Sequence, residues 1–140
     1  MLITNLKEAV ELQKVIKNEG DLIEFVYKDI PCILKRNQLG ALCGYCKIPT
    51  YVDVKIDNTD IIEVHGGITY TGVWDDYDVF GFDCAHSHDF TPTYPMYHSI
   101  YRTKEYCIKE CQNMVDQIIE LDPNINIYLR DKKLEKIINI

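Results

Sequence analysis

Histidine, cysteine and aspartate side chains ligate metals, move protons near neutral pH and act as nucleophiles. This chain crowds them together. His65, His86, His88 and His98 are all of its histidines, and they fall within residues 65–98. The run Phe82-Asp83-Cys84-Ala85-His86-Ser87-His88-Asp89 carries two of them, and His65-Gly66-Gly67 lies upstream. Three chemistries fit these types. Cys84, His86 and Asp83 are candidates for catalysis, with His65 or His86 as the base that a cysteine nucleophile needs. His65, Cys84 and His86 are candidate ligands for a divalent metal such as zinc. His65, Gly66, Gly67, Asp83, His86, Asp89 and Arg102 are candidates for lining a ligand pocket. Each has a bland counterpart: Cys84 as a buried small hydrophobe, His88 and Asp89 as an exposed turn, Gly66-Gly67 as a structural bulge.

The elements that must position these residues follow from periodicity. Leu6, Ala9, Val10, Leu12, Val15 and Ile16 recur at helical spacing, with Asn5 and Glu8 as a capping box and Gly20 as a stop, so residues 6–18 read as a helix. Short β-prone runs follow at 22–27, 32–35 and 41–48, then a polar loop over 49–60. Two longer strands are expected at 61–71 and 78–86 about an Asp75-Asp76-Tyr77 turn. If partner numbers sum to 151, His65 faces His86, and Cys84 lies on the same face opposite Gly67. A slip of one residue places His65 and Gly67 with Asp83 instead. Asp83, ending an apolar strand, needs a partner such as His65 or Arg102. Pro92 and Pro95 make 90–99 a loop whose aromatics could stack on a planar ligand, and a second helix is expected over 103–121, closed by Pro123. The tail, 125–140, is expected to add a helical turn or two. The fold class is α+β: an antiparallel sheet of about five strands packed with an N-terminal helix and a long C-terminal helix, in a single domain over 1–140.

Composition narrows the partners. The formal net charge is −7, and residues 51–91 hold nine acids against one base, Lys55. That segment repels a phosphate backbone, so nucleic acid is an unlikely partner. Arg36, Arg102 and Lys104 are the neighbouring cations. No apolar run approaches the roughly 20 residues of a membrane span, and no signal peptide is recognisable at the N-terminus. A cytoplasmic location is expected. There, six cysteines are not a disulfide framework. Cys43 and Cys46 with Cys107 and Cys111 form a weak zinc pattern, since the first pair would point to opposite faces of a strand and the second fits a helix core.

Three separated motifs carry a resemblance: Cys43-Gly44-Tyr45-x-x-x-Pro49, His65-Gly66-Gly67-Ile68-Thr69-Tyr70 and Gly81-Phe82-Asp83-Cys84-Ala85-His86-x-x-Asp89. Over about residues 25–120 the chain resembles small phage- and prophage-encoded proteins of uncharacterised function. The usual form of the first motif has Val at the position of Cys46, which makes the Cys43/Cys46 pair incidental. The resemblance implies a phage accessory role, such as counter-defence by capturing a nucleotide-type signal, and brings no activity with it.

Two functions are therefore expected. The first is a binder of a small-molecule ligand or a host protein, without a required cofactor. The alternative is a hydrolase-like enzyme using Cys84 or a bound metal with His65 or His86. A homo-oligomer is compatible with either.

Overall fold

The computed structural model describes residues 1–139. Its elements are β1 (Leu2–Ile3), α1 (Leu6–Glu19), β2 (Leu22–Tyr27), β3 (Ile30–Arg36), β4 (Leu42–Pro49), β5 (Tyr70–Trp74), β6 (Tyr77–Asp83), β7 (Ser99–Ile100), α2 (Lys104–Leu121) and α3 (Pro123–Ile138). Five strands form an antiparallel sheet in the order β2-β3-β4-β6-β5, and β1 pairs with β7 separately. This is the expected α+β architecture.

Alternation along the strands decides where the core lies. Cys32 and Leu34, Cys46 and Ile48, and Phe80 and Phe82 point to one face, where they meet Cys111, Met114, Val115 and Ile118 of α2. Helix α2 thus covers β3 and β4 with its apolar stripe. Helix α1 packs elsewhere, in a smaller core with Ile3, Leu12, Phe90 and Tyr101. Asn5 caps α1 by accepting from the Glu8 amide at 2.9 Å, and the Gly20 amide closes it on Ile16. The capping box is only half formed, because the Glu8 carboxylate takes the Thr4 hydroxyl instead.

Several expectations need correction. The two long strands are short: β5 begins at Tyr70 and β6 ends at Asp83, so His65, Gly66, Gly67 and His86 lie outside the sheet. Their register does sum to 151, with Tyr70 opposite Gly81 and Trp74 opposite Tyr77 across the two-residue Asp75-Asp76 turn. The polar loop after β4 contains two turns of 3-10 helix, at Thr50–Val52 and Thr59–Ile61. The tail is a full helix, because Pro123 occupies the first helical position of α3, where a missing N–H costs nothing. Buried Asp122 caps that helix through the Asn124 amide and also accepts from the Lys55 amide at 2.5 Å. Ile140, the end of the expected tail, lies outside the described residues. Among those described, no helix is long and apolar enough to cross a membrane.

Candidate functional site

The segment before β5 has no ladder to satisfy its backbone, and α2 supplies the partners. The Glu63 amide donates to Gln117 Oε1 at 2.7 Å, and the Glu63 carbonyl accepts from Asn113 and Gln117, each at 2.8 Å. The His65 amide donates to Glu110 Oε1 at 2.8 Å. A polar stripe on α2, spaced three or four residues apart, therefore holds residues 63–65 in place. The chain then turns sharply. The Gly67 amide closes on the Val64 carbonyl at 2.8 Å, with φ of 68° at Gly66 and 78° at Gly67. Both glycines sit in the left-handed region that side chains disfavour. The pair makes a turn, not a strand bulge.

That turn aims His65 inward. Its Nδ1 lies 2.8 Å from the Tyr106 hydroxyl and its Nε2 2.8 Å from Asp89 Oδ2. A carboxylate can only accept, so Nε2 carries a proton, and in the neutral ring Nδ1 accepts from Tyr106. Asp89 is the hub. Its side chain is 1% exposed and also accepts from the His86 amide and from Arg102 Nε, both at 2.9 Å. Burial alone would raise the pKa of Asp89, but His65, the His86 amide and Arg102 together outweigh it and hold the carboxyl below its ordinary value. Asp89 is buried for a reason: the 86–89 turn, closed by its amide on the His86 carbonyl, sets its carboxylate between His65 and Arg102. It is not an exposed turn residue.

His86 covers the glycine turn. Its ring lies 5.7 Å from that of His65, packed so closely on Gly66 that a Cβ there would overlap it. The Nε2 atom is shielded from solvent and meets Asp83 Oδ1 at 3.4 Å, without forming a hydrogen bond to any described residue. The 3.4 Å approach is charge proximity only. Replacing Gly66 by alanine is expected to displace the His86 ring and to cost about 2 kcal/mol through the positive φ and the overlap. The check is thermal unfolding alongside the His86 ring resonances; an unmoved ring would refute the close packing.

Asp83 does not pair with His65 or Arg102 as expected. It takes the Ala85 amide at 3.0 Å and faces His86, while Asp89 takes the other two. Alternation explains this, and it also removes Cys84 from the chemistry. Phe80, Phe82 and Cys84 share the face turned to α2, whereas Asp83 lies on the opposite face. Cys84 is 2% exposed, with its Sγ 3.6 Å from Cys107 Sγ. Contact with Cys107, then burial, pushes its pKa well above the ordinary thiol range. Neither histidine reaches it, so the Cys84 nucleophile and the His65/Cys84/His86 metal triangle both lack their geometry. Among the described residues, no group of three or more His, Cys, Asp or Glu side chains could hold a metal ion. Cys43 and Cys46 face opposite sides of β4, opposite Asp83 and Phe80 respectively, which excludes a paired zinc knuckle.

The site that remains joins His65, Gly66, Gly67, Asp83, His86, Asp89 and Arg102, with Tyr106 and Glu110 added from α2. The loop aromatics stand apart: Phe90 and Tyr101 are buried in the α1 core, and Tyr97 lines a groove beside α1. Arg36 is likewise spent, bonding Gly20, Gly40, Asp21 and Tyr101 from a buried position. Arg102 differs. Its Nε is anchored on Asp89, its Cζ lies 5.1 Å from the Tyr106 ring centre, and its two terminal nitrogens have no partner among the described residues. Compared with protein-family models, with curated proteins and with solved structures, the chain matches none.

Proposed function

We propose that the protein is a small accessory binding protein of phage type, acting in the cytoplasm of a host cell. It captures a small polar ligand at Arg102, His86 and Asp83. One observation carries the reading: Asp89 fixes Arg102 through Nε alone, and both terminal guanidinium nitrogens lack a partner among the described residues. A guanidinium held in this way offers two parallel donors to a phosphate or carboxylate. Asp83, 29% exposed at the side chain, offers an acceptor to hydroxyl or amino groups. Acceptors for Arg102 and donors for Asp83 occur together in a ribose phosphate, which makes a nucleotide-type signal the favoured class and counter-defence the favoured setting.

The test is to denature protein isolated from producing cells and identify released small molecules by mass spectrometry. An unchanged ligand should accompany the parent chain and be lost from Arg102→Ala, compared at a temperature where both chains are folded, because the change also takes one cation from buried Asp89. Equal ligand content in both proteins would refute the assignment.

A second reading rests on the Tyr106–His65–Asp89 chain, which has the order of nucleophile, base and orienting carboxylate. Burial, then Glu110, raises the Tyr106 pKa and works against its use as a nucleophile. Tyr106→Phe decides between the two: turnover of a bound ligand would vanish in the second reading, whereas capture would persist in the first.

A further inference from the structure

A cleft lies at the other end of α2. Tyr106 and Ile119 are thirteen residues apart on that helix, or about 20 Å along its axis. The cleft has a volume of about 440 Å³, between the β2–β3 turn and the α2/α3 pair. Its apolar floor is Ile119 and Leu129, both packed against the main core. Asn126, which also lines the cleft, donates to the Ile119 carbonyl at 3.4 Å.

The rim is built at a cost. Lys28 and Asp29 form the two-residue turn with φ of 50° and 63°, positions that glycine or asparagine fill more easily. Each clamps a helix instead: Lys28 pairs with Asp116 of α2 at 2.6 Å, and Asp29 pairs with Lys136 of α3. Those four charges neutralise one another. Arg130 and Lys133, one helical turn apart on α3, also line the cleft and have no acidic partner among the described residues. Two unpaired cations over an apolar floor stand out in a chain whose net charge is −7.

We infer that this cleft binds a small organic phosphate monoester, its dianionic head on Arg130 and Lys133 and its apolar body on Ile119 and Leu129. A dianion matches two cations better than a carboxylate does, and the guanidinium fork suits phosphate oxygens. The site is independent of Arg102 and of the ligand proposed there.

The experiment is a residue-resolved NMR titration of the whole chain with phenyl phosphate, with benzoate and benzyl alcohol in parallel. Saturable shifts are expected at Leu129, Arg130, Lys133 and the Lys28–Asp29 turn, weaker for benzoate and absent for benzyl alcohol at equal concentration. The paired substitutions Arg130→Ala and Lys133→Ala, both at exposed positions, should abolish the response while leaving the core resonances unmoved. Shifts that fail to saturate, that persist in the double variant or that benzyl alcohol reproduces would overturn the assignment.

Discussion

Asp89→Asn is expected to destabilise the fold by about 3 kcal/mol, in the range found when one partner of a buried ion pair is removed. The substitution is isosteric, so the loss is electrostatic. One amide oxygen can still accept from His65 and the His86 amide, but the NH₂ group then faces the Arg102 Nε–H, donor against donor. For a chain of 140 residues this corresponds to a fall of roughly 10 °C in thermal midpoint. A pH signature separates this from simple loosening. The Asp89 carboxyl is held below its ordinary value in the fold, so its contribution is complete above the unfolded carboxylate pKa of about 3.9 and is lost as pH falls through the folded value. The parent chain should lose stability steeply below about pH 4, and Asp89→Asn should show a flatter acid limb. Identical acid limbs would contradict the hub role.

The second large effect is expected at Arg36, which is not one of the site residues. Its side chain is 8% exposed and bonds the Gly20 and Gly40 carbonyls, Asp21 and the Tyr101 hydroxyl, while facing Glu19, itself 6% exposed. Glu19 in turn takes the Tyr101 hydroxyl and the Lys104 amide, at 2.5 and 2.7 Å. The cluster thus joins the end of α1, β3 and the start of α2. Arg36→Met leaves Glu19 buried without its cation and should cost about 4 kcal/mol, measured by urea unfolding. Combining it with Glu19→Gln should cost less than the sum of the single changes, because the second substitution removes the stranded charge. Additive losses would mean that the two residues act separately.

Much of this architecture was legible from spacing. Helices α1 and α2 announced themselves through apolar periodicity and end residues, whereas spacing leaves the β5–β6 register open between two alternatives, of which the one summing to 151 is observed. Of the residues singled out from the sequence, His65, Arg102 and the His86 amide do meet at Asp89. What failed was the extent of the strands. Residues 61–69 are rich enough in β-branched types to read as strand, yet their backbone is satisfied by Glu110, Asn113 and Gln117 of α2. Such side chain–backbone docking has no local signature in the docked segment. It does leave a trace in the docking helix: Tyr106, Glu110, Asn113 and Gln117 form a polar stripe beside the apolar one. Tyr106 was missed for that reason. Of the two readings open for Cys84 the buried one holds, because its neighbours along the strand face, Phe80 and Phe82, are core residues.

Asp89 anchors Arg102 through Nε, and the proposed capture rests on the terminal guanidinium nitrogens that have no partner among the described residues. The measurement that tests it most directly follows the arginine and histidine side-chain nitrogens by NMR while ADP-ribose is added as the probe. The Arg102 terminal nitrogens and the His86 ring should shift and saturate together, with the His65 Nε2–H held unchanged on Asp89. Arg102 signals that stay still while the ligand binds elsewhere, or that show no response at all, would contradict the account.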